Sequence, residues 1–216
     1  GVLGPGHVGG ALLDQLASAA PALRTKFNLD LRVRAIGGSK KMALDEQRID
    51  LGKWREAVQK GTDLDGAKLV NHIQADYLPH TVLIDCTANQ SVADRYADWL
   101  QRGIHVITPN KRAHSGPIAY YQELKRLSRG SRAHFLYEAT VGAGLPVIQT
   151  LKDLVETGDE IRSISGIFSG TLAYLFNLFD GTRPFSEIVR EAEAKGYTEP
   201  DPRDDLARRH RRADGR

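Results

Sequence analysis

Three glycines spaced Gly4-x-Gly6-x-x-Gly9, between the apolar run Gly1-Val2-Leu3 and a helical stretch over residues 11–23, constrain this chain more than any other feature. The spacing alone is weak evidence, because 21 glycines in 216 residues generate chance matches. The flanks give it meaning. Val2-Leu3 reads as the tail of a strand, and Leu12, Leu13, Leu16 and Ala20 line one face of the following helix. In such a strand–turn–helix unit the first glycine permits a tight turn. The second lets backbone approach a pyrophosphate, and the third lets helix pack close to strand. The helix start adds unpaired N–H groups and the positive end of the helix dipole. Gly4, Gly6 and Gly9, with His7 and Val8 between them, are therefore candidate dinucleotide contacts, His7 as a solvent-facing spacer.

The same alternation continues downstream. Apolar runs are expected as strands at residues 29–36, 81–87, 104–108 and 133–137, with helices at about 90–102 and 118–129 and a polar, mostly helical stretch over 52–75. Strands alternating with helices predict an α/β fold, a Rossmann-type doubly wound parallel sheet, over residues 1–137. From Glu138 the texture changes. A glycine-rich turn, Val141-Gly142-Ala143-Gly144, leads to expected helices at 146–156, 171–179 and 186–195 and a strand-like run at 162–168. Residues 138–206 thus read as a second, incomplete α+β domain, too short for a generous core of its own. It is expected to pack against a partner subunit or further chain.

Charge excludes little at first sight, since the net charge is +3. Residues 207–216, however, hold five arginines and one aspartate, or +4, so residues 1–206 carry −1. The body of the chain gives no electrostatic case for nucleic acid or an anionic membrane. No apolar run approaches the ~20 residues of a membrane-spanning helix, and no signal-peptide pattern opens the sequence. The single cysteine, Cys86, suits a reducing cytoplasm, and seven scattered histidines show no metal-ligand spacing.

The end of the second strand bears on cofactor choice. An NAD site usually places Asp or Glu there for the ribose 2′-hydroxyl, whereas an NADP site removes the acid and supplies cations. Here the chain reads Gly37-Gly38-Ser39-Lys40-Lys41. Ser39 and Lys40, with Lys41 beside them, favour NADP, and NAD stays open because a solvated loop reads similarly.

Four further motifs are specific: Thr108-Pro109-Asn110-Lys111; Tyr137-Glu138-Ala139-Thr140-Val141-Gly142-Ala143-Gly144-Leu145-Pro146; Phe168-Ser169-Gly170-Thr171; and the stretch from Gly196-Tyr197-Thr198-Glu199-Pro200-Asp201 to Asp204-Asp205-Leu206. In this order, over residues 1–206, they resemble homoserine dehydrogenase, in particular the dehydrogenase half of bifunctional aspartokinase–homoserine dehydrogenases. The resemblance implies NAD(P)-dependent interconversion of L-homoserine and L-aspartate 4-semialdehyde on the route to threonine and methionine. It places Lys111 at the substrate hydroxyl and the nicotinamide, where a lysine can serve in proton transfer if its pKa is lowered. It gives Glu199, Gly170, Thr171 and Tyr197 to substrate binding, Asp205 to a hydrogen bond within the site, and Thr87 and Ala88 to the nicotinamide side. A structural role is the alternative for Asp204, and bracing of the turn for Asp201 and Arg203. Glu138, Val141, Ala143 and Leu145 match a sodium site built partly from backbone carbonyls, suitable ligands for a hard cation. A homodimer or higher homo-oligomer is implied as well.

The resemblance fails in the tail. The family follows Asp-Asp-Leu with a short linker and Asp-Val-Ala-Arg-Lys, whose lysine is a principal proton-transfer group. Here Leu206 is followed by the arginine-rich residues 207–216, and no lysine occurs after Lys195. Arginine does not give up its proton at working pH. The expectation is a truncated or frameshifted reading, with a nucleic-acid-binding tail and a divergent terminus as alternatives, and at most weak activity. Two rival functions follow: a catalytically impaired fragment that only binds NADP, and an aspartate-semialdehyde dehydrogenase, which would need Cys86 as nucleophile.

Overall fold

The computed structural model describes residues 1–167, 169–199 and 201–206, the side chain of Asp204 excepted. The tail at 207–216, Phe168, Pro200 and the reading of Asp204 lie outside the described residues. The chain divides into two compact units, Gly1–Thr140 and a second from Val141 onward.

The first unit is built on a seven-stranded sheet: β1 (Val2–Leu3), β2 (Ala35–Gly37), β3 (Lys41–Leu44), β4 (Thr62–Asp63), β5 (Val82–Asp85), β6 (His105–Ile107) and β7 (Phe135–Leu136), in the spatial order β4-β3-β2-β1-β5-β6-β7. Strands β2, β1, β5, β6 and β7 are parallel, as expected for a doubly wound sheet. Strands β3 and β4 are antiparallel additions at one edge, so the sheet is mixed rather than purely parallel. The reason is the Gly38-Ser39-Lys40 turn: Gly38 N–H donates to the Lys41 carbonyl at 2.8 Å and folds the chain straight back on β2.

Helices connect the strands: α1 (His7–Phe27), α2 (Trp54–Lys60), α3 (Gly66–Ile73), α4 (Gln90–Ala93), α5 (Tyr96–Gln101), α6 (Arg112–Ser115) and α7 (Ile118–Gly130). Alternation along each strand sorts the two faces. Val2, Ile36 and Ala43 join Leu13 and Trp54 on one side, while Leu3, Ala35 and Met42 join Leu69, Leu83, Leu100 and Leu124 on the other. Each fully buried leucine contributes roughly 1.5–3 kcal/mol. The expected strand at 29–36 shortens to β2. Val33 and Arg34 accept instead from the Ile49 and Asp45 amides, and the Arg34 side chain is buried against the carbonyls of Glu46 and Ile73.

The second unit contains α8 (Val147–Glu156), α9 (Gly170–Leu178), α10 (Phe185–Ala194) and α11 (Pro202–Leu206). Its small core is Leu175, Ile188 and Ala192, flanked by Tyr174, Phe185 and Val189. Glu191 ties α10 to α9 by accepting from Tyr174 Oη (2.9 Å), Lys195 (2.7 Å) and Arg183 (3.0 Å). The strand expected at 162–168 does not form over residues 162–167, which are all exposed and have no ladder partner among the described residues. A strand needs a neighbouring edge, and an apolar pattern alone does not supply one.

Candidate functional site

In the first unit β1 leads to β2 on one side and, later, β5 pairs with β1 on the other. Ligands of open α/β sheets bind outside the carboxyl ends of the strands at such a reversal. The glycine turn lies there. Gly4 has φ of +77°, and a Cβ on it would come within 2.9 Å of the Cys86 carbonyl. A Cβ on Gly9 would lie 2.3 Å from the Gly4 carbonyl oxygen, so only glycine lets α1 begin this close to β1. At Gly6 nothing stands within 4 Å of that position, and Gly6, His7 and Val8 are exposed. Helix α1 starts with no side-chain cap and no acidic residue in its first turn. Its first N–H groups and dipole end are thus left for an anion, which fits the diphosphate of a dinucleotide.

Ser39 and Lys40 are exposed in the turn after β2. Lys41 has moved into β3, where its ammonium pairs with Asp63 at 2.9 Å on a solvent-exposed edge.

The loops after β5 and β6 are joined by a buried polar network that sequence reading did not single out. Asp85 is fully buried at the end of β5. Its carboxylate accepts from the Thr87 amide (2.8 Å), the Asn110 side-chain amide (2.9 Å) and the Tyr96 hydroxyl. Thr108 Oγ1 donates to the Asp85 carbonyl (2.9 Å) and accepts from the Asn110 amide (2.8 Å). Asn110 Nδ2 also donates to the Asn89 carbonyl (3.1 Å), and its Oδ1 accepts from the Arg112 amide (3.0 Å). Burial, then the Asp85 charge, pushes the Tyr96 hydroxyl far above its ordinary pKa, so it stays a donor. The available signal was one acid inside the apolar run Val82-Leu83-Ile84-Asp85 at a strand's carboxyl end.

Lys111 follows directly. It is exposed at the start of α6, and its carbonyl accepts from the His114 and Ser115 amides. Thr87 is half-buried and Ala88 exposed on the neighbouring loop. Cys86 packs beneath the glycine turn. Burial, then the charge of Asp85, pushes its thiol up to about 11, which disfavours the thiolate a nucleophile needs. That environment disfavours the rival built on a cysteine nucleophile.

The residues assigned to substrate fall in the second unit. Ser169 caps α9 through the Leu172 amide, and Gly170 and Thr171 open that helix. Thr171 Oγ1 donates to the Tyr197 carbonyl at 2.7 Å, and the Tyr197 ring meets Tyr174 edge-on. Gly196 at φ +72° ends α10 and turns the chain toward Glu199. Asp205, 2% exposed, accepts from the Glu199 amide at 2.7 Å. One buried carboxylate thus holds the backbone that carries the other.

Of the expected sodium ligands, Glu138 lies in a short 3₁₀ turn at the end of the first unit. Val141, Ala143 and Leu145 lie in the second, on a turn with left-handed Gly142 and Ala143. The Leu145 carbonyl already accepts from the Val147 amide, which leaves it one lone pair for a cation.

Two family models match: "Homoserine dehydrogenase, NAD binding domain" over residues 4–138 and "Homoserine dehydrogenase" over residues 146–209. The chain is 56% identical over 209 residues to a chloroplastic bifunctional aspartokinase/homoserine dehydrogenase 2 of Arabidopsis thaliana, covering 96% of this chain and 23% of that protein. It is 41% identical over 215 residues to a homoserine dehydrogenase of Schizosaccharomyces pombe, covering 95% of this chain and 56% of that one. The chain therefore spans only about a quarter of the bifunctional relative and somewhat over half of the monofunctional one. Among solved structures, a hyperthermophilic archaeal homoserine dehydrogenase in complex with NADPH superposes with a TM-score of 0.77. That match has 24% identity over 95% of this chain and 63% of the other, a likeness of fold.

Proposed function

The chain belongs to the homoserine dehydrogenase family, and from that premise we propose that it interconverts L-homoserine and L-aspartate 4-semialdehyde with NADP as hydride carrier. The observation that carries the reading is the placement of Lys111. It stands beyond the carboxyl end of β6, one residue from Asn110, in the unit that also holds the glycine turn. That is where an alcohol and a dinucleotide are brought together in this kind of sheet.

A bound nicotinamide would supply the acceptor for a hydride from the carbinol carbon. The chain's own residues do the rest. Gly4, Gly6 and Gly9, with the backbone of His7 and Val8, hold the diphosphate. Ser39 and Lys40 hold the 2′-phosphate, supported by the absence of an acid at the end of β2. Thr87 and Ala88 would flank the nicotinamide and Lys111 would lie at the substrate hydroxyl; with no lysine after Lys195 to share the proton transfer, weak turnover is expected. In the second unit Glu199 is assigned to the substrate ammonium, Asp205 to holding the Glu199 backbone, and Gly170, Thr171 and Tyr197 to substrate contacts. The sodium ion is assigned to Glu138 in the first unit and to Val141, Ala143 and Leu145 in the second, whose oxygens would suit a hard cation. These assignments rest on residue chemistry and on matching motifs. The working form is a homo-oligomer in a reducing compartment such as the cytoplasm, in line with a single cysteine. Among the described residues no helix is long and apolar enough to cross a membrane.

The test is homoserine-dependent NADP reduction followed at the absorbance of NADPH, paired with an NADPH titration. Lys111→Ala is expected to reduce turnover by roughly a hundredfold or more while NADPH still binds. NADPH binding with no turnover by the unaltered chain would instead select the cofactor-binding fragment.

A further inference from the structure

Resting on the dehydrogenase reading, we propose that Asp85 is the positioning residue of the nicotinamide-side half of the site: its buried carboxylate sets the Thr87–Ala88 loop and the Lys111 segment at a fixed separation. Three donors from three separate elements converge on it: the Thr87 amide after β5, the Asn110 side chain after β6, and the Tyr96 hydroxyl of α5. It has no ion pair among the described residues, although 0% of it is exposed.

A buried charge with no counter-ion is costly, and it is retained only where its acceptor capacity is used. Here all of its partners donate. A neutral amide of the same shape would turn an NH₂ toward at least one of them, leaving two donors face to face. The carboxylate satisfies three buried donors at once and gives the two loops a common anchor. Asn110 extends that anchor to Lys111, since its Nδ2 reaches Asp85 while its Oδ1 takes the Arg112 amide on the far side of Lys111. The glycine turn is held separately, by Gly4 N–H on the Gly37 carbonyl and Gly6 N–H on the Gly4 carbonyl. The diphosphate end therefore packs on Cys86 but has backbone hydrogen bonds of its own that do not run through the Asp85 carboxylate.

That separation sets the experiment. Asp85→Asn and Asn110→Ala are made in the full chain, and two ligands are titrated: NADPH, followed by its emission, and 2′-phospho-ADP-ribose, which lacks the nicotinamide, followed by calorimetry. The expected result is NADPH weakened about tenfold, with the emission of the bound cofactor moved toward that of free cofactor, and 2′-phospho-ADP-ribose within about twofold of the unaltered chain. Equal loss for both ligands, or NADPH unaffected, would overturn the proposal by reducing Asp85 to a general stabiliser or a bystander. Should Asp85→Asn not fold, Asn110→Ala carries the same comparison. Absence of homoserine turnover in the unaltered chain would count against the dehydrogenase reading, while the two-ligand comparison still decides the role of Asp85.

Discussion

Gly9 stands so close above Gly4 that a single added methyl group would sit 2.3 Å from the Gly4 carbonyl oxygen. The contact is between backbone and backbone, so no side chain can rotate away to relieve it. At Gly6, two residues after Gly4, the same methyl would meet nothing within 4 Å.

This contrast makes the two glycines separable. Gly9→Ala is expected to destabilise the fold by about 2 kcal/mol or more, a fall in Tm of at least about 4 °C for a chain of this size. Gly6→Ala is expected to cost about 1 kcal/mol as a poorer helix cap, yet to weaken NADPH more than about tenfold by filling the space left for a diphosphate. Thermal melts and NADPH titrations of both variants check the pair. Equal Tm losses would count against the reading.

Cys86 is expected to be slow toward thiol reagents. With its thiol pushed up to about 11 by burial and by Asp85, very little thiolate exists at pH 8. A disulfide reagent should react at least about tenfold more slowly with the folded chain than with the urea-unfolded one. Cys86→Ser should retain homoserine turnover. Rapid labelling that abolished turnover would restore the cysteine-nucleophile alternative.

His114 predicts a pH effect on stability. Its ring stacks on Phe135 and lies against Tyr137 and Tyr121, neither ring nitrogen has a hydrogen-bond partner among the described residues, and burial pushes its pKa down to about 4. A histidine held neutral in the fold contributes stability that is present above its unfolded pKa of about 6.5 and is lost as pH falls from there toward about 4. Melting temperatures between pH 7.5 and 4.5 should therefore fall. His114→Phe, filling a similar volume without unpaired nitrogens, should flatten that fall and add about 1 kcal/mol at neutral pH. An unchanged pH slope in the variant would show that other groups govern it.

Asp205→Asn tests the second unit. The buried carboxylate accepts from the Glu199 amide at 2.7 Å. Turning a charge-assisted bond of about 1.5–3 kcal/mol into a neutral one of about 0.5–1.5 kcal/mol predicts a fall in kcat/KM for homoserine of roughly five- to tenfold, with NADPH affinity unchanged. A matching loss of NADPH affinity would argue that the effect spreads beyond the Glu199 segment.

What could be read from the residues alone was local or periodic. Gly4-x-Gly6-x-x-Gly9 beside an apolar strand pointed to a nucleotide turn, because Gly4 and Gly9 answer steric demands at the turn while Gly6 leaves open space beside it. The parallel strands β1, β2, β5, β6 and β7 were visible as short apolar runs, since burial on both faces demands them. Lys111, Glu199 and Asp205 stood out through the motifs that surround them. Tertiary structure decided what depends on partners distant in sequence. Residues 41–44 became an antiparallel strand, itself flanked by β4, because the turn at Gly38 returned them to β2, whereas 162–167 have no ladder partner among the described residues. The Asp85–Tyr96–Thr108–Asn110 network was invisible as a pattern, since its members lie up to 25 residues apart and meet only when β5 and β6 pair. A buried charge is defined by what surrounds it, and pairing of the strands supplies those surroundings.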